Sequence, residues 1–185
     1  MNEPVKVYLL PLGCAKNLCN AELMLGHLVN AGMELLETPE GADVAIVNTC
    51  GFIESAKTEA IEAILELAQL KQQGDIRALI VTGCLTQRYP EAIAEEMPEV
   101  DGILGTGSYT KVVPAIEKLL DGQQVVDFGS IDAPEQETGR ILTTPEHYAY
   151  LKIAEGCSNR CAYCVIPSLR GKFRSRTMDD VLYEA

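Results

Sequence analysis

Ala42-Asp-Val-Ala-Ile-Val-Asn-Thr-Cys50-Gly51 is a short apolar run that stops at a polar pair, a cysteine and a glycine. It is too short and too rich in valine and isoleucine for an amphipathic helix, and it reads as a strand buried on both faces. The same sentence is written twice more. Val5–Leu12 ends at Gly13-Cys14, and Ala78–Thr82 ends at Gly83-Cys84. Each run is followed by a helical pattern. Asn20 is the expected N-cap of the first helix, with Glu22 in its first turn; Met24, Leu25, Leu28 and Val29 form its apolar face, and Gly32 its stop. The second helix is expected over about Ser55–Gln73, with Ala60, Ile61, Ile64, Leu65 and Ala68 inward and Gly74-Asp75 at its end.

The remaining segments continue the alternation. Glu34–Glu37 reads as a weak edge strand, and Tyr89–Glu96 as a helix closed by Pro98. Gly102–Leu104 gives a short strand, Lys111–Leu120 a helix and Gln124–Phe128 a last strand. The Gly105–Tyr109 loop lacks the glycine order of a phosphate-binding turn and reads as a plain connection. Strands alternating with helices predict an α/β fold, a mostly parallel sheet with helices on both faces. In such sheets the carboxyl ends of the strands share one rim, where ligands bind. Cys14, Cys50 and Cys84, spaced 36 and 34 residues apart, each stand just past a strand end. They are therefore expected to meet on one rim as a shared metal site, although isolated cysteines are also common apolar filler.

A second cysteine group is local: Glu155-Gly-Cys157-Ser-Asn-Arg-Cys161-Ala-Tyr-Cys164. The C-x3-C-x2-C spacing suits the thiolate ligands of a cubic iron–sulfur cluster. Three ligands leave one iron of a 4Fe–4S cube open, and open coordination positions are where metal sites do chemistry. A structural zinc loop would want a fourth cysteine or histidine, and none lies near the triplet. A ferredoxin-like electron carrier, the non-enzyme reading, would supply four cysteines per cluster.

The 185 residues are 47% apolar and only 5% aromatic, without Trp, so the core is expected to be aliphatic. Neither a basic N-terminal region nor a long apolar span is present, which points to a cytoplasmic protein with no membrane partner. In a reducing compartment seven cysteines suit metal or catalysis better than disulfides. The net charge of −12 is uneven: residues 151–185 carry six Lys/Arg against four Asp/Glu, leaving nine against twenty-three in residues 1–150. The acidic part is a poor surface for a phosphate backbone. The basic run Arg170-Gly-Lys172-Phe-Arg174-Ser-Arg176 is either a solvated face or a seat for an anionic partner. Asp132–Pro145, rich in Pro, Glu, Gln and Thr, reads as an exposed linker. Beyond it Tyr148–Ala154 alternates like a strand, and Met178–Ala185 begins a helix. A lone strand with an unpaired edge predicts a poorly supported tail.

With Tyr163 before its last cysteine, the loop resembles the signature of the radical S-adenosylmethionine (AdoMet) superfamily. Together with Cys14, Cys50 and Cys84 it resembles the methylthiotransferases over essentially the whole chain. The resemblance implies two 4Fe–4S clusters, one on Cys14, Cys50 and Cys84 and one on Cys157, Cys161 and Cys164. It implies AdoMet as both methyl donor and radical source, with Tyr163 near the adenine, and an external electron donor. It divides the chain into an N-terminal methylthiotransferase domain (1–130), a linker (131–146) and the start of a radical AdoMet barrel (147–185), a fragment of a longer enzyme and inactive alone. Leu12-Gly-Cys-Ala-Lys-Asn17 and Ile166-Pro-Ser-Leu-Arg-Gly-Lys-Phe-Arg-Ser-Arg176 resemble the branch that modifies the β-carbon of an aspartate in protein twelve of the small ribosomal subunit. A tRNA branch acting on an isopentenyl-adenosine is the alternative; it carries Tyr-Thr at Ser168-Leu169 and Glu at Phe173. Cys19 stands where the family has an aliphatic residue and reads as a small buried side chain at a helix start, with an alternative ligand as the other reading. Asn48 and Thr49 are candidates either for hydrogen bonds toward cluster sulfurs or for capping the following helix.

Overall fold

The computed structural model describes residues 3–134 and 139–185. Six parallel strands make one sheet: β1 (Lys6–Pro11), β2 (Glu34–Leu36), β3 (Val44–Thr49), β4 (Ala78–Gly83), β5 (Gly102–Gly107) and β6 (Val125–Gly129). Their spatial order is β2-β1-β3-β4-β5-β6. The chain moves outward from β1 to β2, then crosses back to β3 on the other side. That reversal leaves a crevice at the carboxyl ends of β1 and β3, the place where open α/β sheets take ligands.

Side-chain alternation assigns each strand residue to a layer. Val44 and Ile46 of β3, with Ala78 and Ile80 of β4, pack beneath α1 (Ala15–Asn30) and α5 (Val112–Leu120). Ala45 and Val47, with Leu79 and Val81, face α2 (Glu54–Gln73), α3 (Cys84–Arg88) and α4 (Pro90–Glu96). All six residues of β3 and of β4 are buried, as the unbroken apolar runs require of strands covered on both faces. The α/β architecture with helices on both faces is the one expected.

Several local expectations are revised. Helix α1 begins at Ala15, with Cys14 as a capping residue that makes no side-chain cap bond. Asn20 and Glu22 are therefore not at a helix start; both are buried inside α1, facing the chain beyond residue 138. In α2 the inward stripe is Ala56, Ala60, Ile64, Leu67 and Ala68, while Ile61 and Leu65 are largely exposed. Helix α3, missed in the sequence, starts at Cys84 itself. Strand β5 runs on through Gly107, so Gly105–Gly107 belongs to the sheet, and a 3-10 turn follows at Tyr109–Lys111.

Beyond the sheet the regular structure is sparse. β7 (Ala154–Glu155) pairs antiparallel with β8 (Arg174–Ser175), flanking α6 (Ile166–Arg170), and α7 (Met178–Glu184) follows. Strand structure is confined to the end of the expected Tyr148–Ala154 run. Of the expected linker, residues 135–138 lie outside the described residues. The part after them is anchored as well as largely exposed: Ile141 N–H donates to Glu22 O at 3.1 Å and Thr143 N–H to Glu22 Oε1 at 2.8 Å. Gly139 passes so close to Gly26 of α1 that a Cβ on Gly26 would stand 1.8 Å from the Gly139 carbonyl oxygen, so the helix needs a glycine at the crossing. The tail is also better seated than its open edge predicts. Lys152, Glu155, Leu169, Arg170 and Arg176 are all buried, and Leu169 O accepts a short hydrogen bond from Thr106 of β5.

Candidate functional site

The three strand-end cysteines follow β1, β3 and β4, which are adjacent in the sheet. Register places them together: Pro11 lies opposite Asn48, and Thr49 opposite Gly83. Cys14, Cys50 and Cys84 line one cavity of roughly 710 Å³ at the carboxyl rim, with Phe52, Ile53 and Ala56 on one side and Ile166, Leu169 and Arg170 on the other. Cys50 and Cys84 are buried at 8% and 7% exposure, while Cys14 is exposed.

Two glycines make this approach possible. Gly13, at φ +94°, packs so closely on Cys50 that a Cβ there would stand 2.5 Å from the cysteine's own Cβ. Gly83, at φ +106°, turns β4 into α3; a Cβ there would meet Thr49 O at 2.3 Å. Buried polar side chains then fix the rim. Asn17 Nδ2 donates to Leu12 O at 3.1 Å and Thr49 O at 2.8 Å, tying the ends of β1 and β3. Asn48 donates to Asn17 O at 2.8 Å, and Thr49 Oγ1 to Thr82 O at 2.6 Å. Neither Asn48 nor Thr49 caps α2, whose capping residue is Ile53; Asn48 ties β3 to α1, and Thr49 ties β3 to β4.

Electrostatically the rim is cationic within an acidic chain. Arg170 donates to Cys84 Sγ at 3.1 Å and to Asn17 Oδ1, and pairs with Glu155 at 3.4 Å. Lys16 Nζ reaches Ala154 O at 2.9 Å and Glu155 Oε1 at 3.1 Å. Lys152 pairs with Glu155 at 3.6 Å and donates to Asn20 Oδ1 at 2.9 Å. Burial pushes the Cys84 thiol above its usual range, and the Arg170 guanidinium opposes that shift. Burial also acts on the Glu155 carboxyl, but Arg170, Lys152, the Gly156 N–H and Lys16 outweigh it and hold it below the usual carboxylate range. The basic run is divided: Lys172 is exposed, whereas its two end arginines turn inward. Arg170 and Arg176 are buried, with Arg176 donating to Asp180 at 2.6 Å.

The second triplet is arranged differently. Cys157, Cys161 and Cys164 lie in an irregular loop between β7 and α6, where Cys161 is exposed and the other two half-buried. The loop closes through Cys164 N–H to Cys161 O at 3.0 Å, with Arg160 at φ +50°. Its entry is pinned by Cys157 N–H donating to Gly171 O at 3.0 Å. Cys157 lines a neighbouring hollow with Ser158, Arg160 and Lys172. The Tyr163 ring is 92% exposed. Cys19 joins neither group: it is buried in α1 with its thiol 3.9 Å from Tyr150 O, and burial raises its pKa. Among the described residues, no three His, Cys, Asp or Glu side chains close around a single ion. Three sulfurs spread around a cavity instead fit a group whose metals are several and whose ligands are thiolates.

Asn17, Lys16, Glu155 and Arg170 were not singled out as site residues from sequence. Asn17 and Lys16 sit one helical turn past Cys14, and Glu155 two residues before Cys157. That adjacency to both cysteine groups is the signal that could have found them.

Residues 6–105 match the family model described as "Uncharacterized protein family UPF0004", which spans the sheet from β1 to β5 and all three rim cysteines. The chain belongs to the UPF0004 family. Its relatives include proteins named ribosomal protein uS12 methylthiotransferase RimO. Those of Clostridioides difficile (strain 630) and Geobacter sulfurreducens are each 50% identical, over 98% and 100% of this chain and 41% and 42% of their own length. That of Anaeromyxobacter sp. (strain K) is 51% identical over 97% of this chain and 38% of its own. The chain spans about two-fifths of the length of the curated relatives it matches. Among the described residues, no helix is long and apolar enough to cross a membrane.

Proposed function

We propose that this chain is part of a cytoplasmic methylthiotransferase acting on the β-carbon of an aspartate in small-subunit ribosomal protein uS12, with two 4Fe–4S clusters and AdoMet as cofactors. In this reading Cys14, Cys50 and Cys84 hold one cluster and Cys157, Cys161 and Cys164 the other. Residues 1–130, 131–146 and 147–185 act as cluster domain, linker and the start of a radical AdoMet barrel, and the reducing electron comes from an external donor. The observation that carries it is the convergence of three cysteines, remote in sequence, on one cavity whose opposite wall is built by residues bordering the second cysteine loop. The names of the relatives supply the substrate.

When bound, the clusters and AdoMet would supply the reducing electron, the sulfur-carrying iron, the methyl group and the means of breaking the substrate C–H bond. The chain's own contribution is binding and environment. Phe52, Ile53, Ile166 and Leu169 make the wall around the first triplet apolar, which lowers the polarity around the buried thiols of Cys50 and Cys84. Arg170 places positive charge beside Cys84, a side chain that must be deprotonated to bind iron, and Lys16 lines the same cavity. The exposed ring of Tyr163 is free to pack against the nucleoside of AdoMet.

The test is mass spectrometry of uS12 and tRNA from cells lacking this gene. Loss of the methylthio group from uS12 alone is expected, restored by the full gene but not by its Cys14→Ala form. Loss from tRNA alone would assign the isopentenyl-adenosine substrate instead. No change in either, with iron and sulfide present in the purified protein, would leave an electron carrier.

A further inference from the structure

Two successive residues touch one cysteine of each triplet. The Arg170 guanidinium donates to Cys84 Sγ at 3.1 Å, and the next carbonyl, Gly171 O, accepts from Cys157 N–H at 3.0 Å. Gly171 manages this at φ +73°, where a Cβ would stand 2.4 Å from Ile131 O. Arg170 is only 4% exposed, and its fork is divided among a carboxylate (Glu155), an amide oxygen (Asn17) and a thiol sulfur. A lysine, with one point charge and no planar fork, cannot serve the same three acceptors in that geometry. Glu155 is itself fixed by Lys16 and by Gly156 N–H at 3.0 Å, so the guanidinium is held from both the sheet and the cysteine loop.

We infer that Arg170 is a positioning residue for the first triplet, setting the reduction potential of an iron–sulfur group on Cys14, Cys50 and Cys84 and tying that group to the loop of the second triplet. The inference rests on the two-cluster reading above. Reduction adds negative charge to a cluster. A fixed cation with an N–H aimed at a ligand sulfur favours the reduced form and raises the potential. Burial strengthens the effect, because charges away from water are poorly screened. Glu155, whose carboxylate lies beside the same guanidinium, acts with the opposite sign.

The experiment uses the 185-residue chain carrying Cys157→Ala, Cys161→Ala and Cys164→Ala, so that only the first triplet can load. This parent and its variants are reconstituted anaerobically with ferrous iron and sulfide, then titrated by EPR at set potentials, with iron content and circular dichroism measured alongside. Arg170→Met is expected to shift the one-electron equilibrium at least tenfold toward the oxidised form, a fall of about 59 mV. Arg170→Lys should recover part of that, and Glu155→Gln should move the potential upward. Opposite signs from two neighbouring substitutions are not what mere loosening of the loop produces. An Arg170→Met protein that loads as the parent does and titrates at the same potential overturns the inference. Should Arg170→Met not load, Arg170→Lys and Glu155→Gln decide: unchanged potentials in both overturn it. A parent that takes up no iron overturns the two-cluster reading itself, a result distinguishable because it appears before any Arg170 variant is compared.

Discussion

The two cysteine groups are built by opposite strategies. Cys14, Cys50 and Cys84 come from three strand ends, and two of the three are buried under helices. Cys157, Cys161 and Cys164 come from eight consecutive residues with almost no regular structure, and Cys161 lies open to solvent. The first group inherits rigidity from a sheet whose central strands are buried on both faces. The second takes what rigidity it has from a few pins: Cys157 to Gly171, Glu155 to Arg170, and the two-residue pairing of β7 with β8. Damage to the first site should therefore be inseparable from damage to the fold, whereas damage to the second should stay local.

The largest expected effect is Gly83→Ala. At φ +106° the new residue is strained, and its Cβ would stand 2.3 Å from Thr49 O, so β3 and β4 must part at the rim. We expect a loss of at least about 3 kcal/mol in urea denaturation, the sum of backbone strain and lost packing. Iron uptake by the first triplet should fall with it. Next is Asn17→Ala, which leaves Leu12 O, Thr49 O and Arg170 without their buried partner. At about 1–3 kcal/mol for such unsatisfied groups, it should cost about 2–3 kcal/mol, read by the same denaturation. A change below about 0.5 kcal/mol would mean that Asn17 does not hold the rim together.

How far each group could be read in the sequence follows from the same contrast. The second triplet could be picked out as a group from spacing alone, because all its cysteines sit in one loop. The first needed one further step, the rule that parallel strands end on a common rim, and the sheet order β1-β3-β4 bears it out. The buried partners were not legible. Asn17 looks like any polar residue after a cysteine, and only the packing of α1 against the strand ends makes it a tie. Asn20 and Glu22 imitate a helix start because capping residues and buried polar residues are the same types. What separates them is the later chain, which supplies Lys152 and Thr143 as partners. The two inward arginines of the basic run were hidden for a related reason: the charge is visible in one stretch, while the acids that pair with Arg170 and Arg176, namely Glu155, Asp180 and Glu184, are outside that stretch.

A smaller effect should come from Gly156→Ala, the counterpart of Gly83 in the second region. Gly156 is at φ +74°, and a Cβ there would stand 2.1 Å from Lys172 O. The clash is as severe as at Gly83, yet it strikes a pairing only two residues long. Global unfolding should shift by less than about 1 kcal/mol, because the core elements are untouched. Hydrogen exchange at the amides of Cys157 and Arg176, bonded to Gly171 O and Ile153 O, should instead lose its protection. Equal global losses for Gly83→Ala and Gly156→Ala would abolish the distinction between the two regions.

The smallest expected effect is electrostatic and falls on the sheet, at the start of β3 and on the edge strand β6. Burial raises the Asp43 carboxyl, but the Lys6 N–H at 2.9 Å and Arg77 at 2.9 Å outweigh it and hold it below its usual range. Asp127 is lowered by Lys111 at 2.8 Å and Ser108 at 2.6 Å. A carboxyl whose folded pKa lies below its unfolded value stabilises the fold above the unfolded value, near 3.9. That contribution is lost as pH falls from there through the folded pKa. Both pairs are partly solvated, which limits the combined contribution to about 1 kcal/mol. In denaturation curves at pH 6 and pH 3, Asp43→Asn with Asp127→Asn should flatten part of the acid loss and cost little more than that at pH 6. Because these pairs hold the sheet and not the cysteine loop, exchange protection at Cys157 should be indifferent to the double substitution at both pH values. An acid slope as steep in the variant as in the wild type would show that the sheet's acid sensitivity comes from other carboxylates.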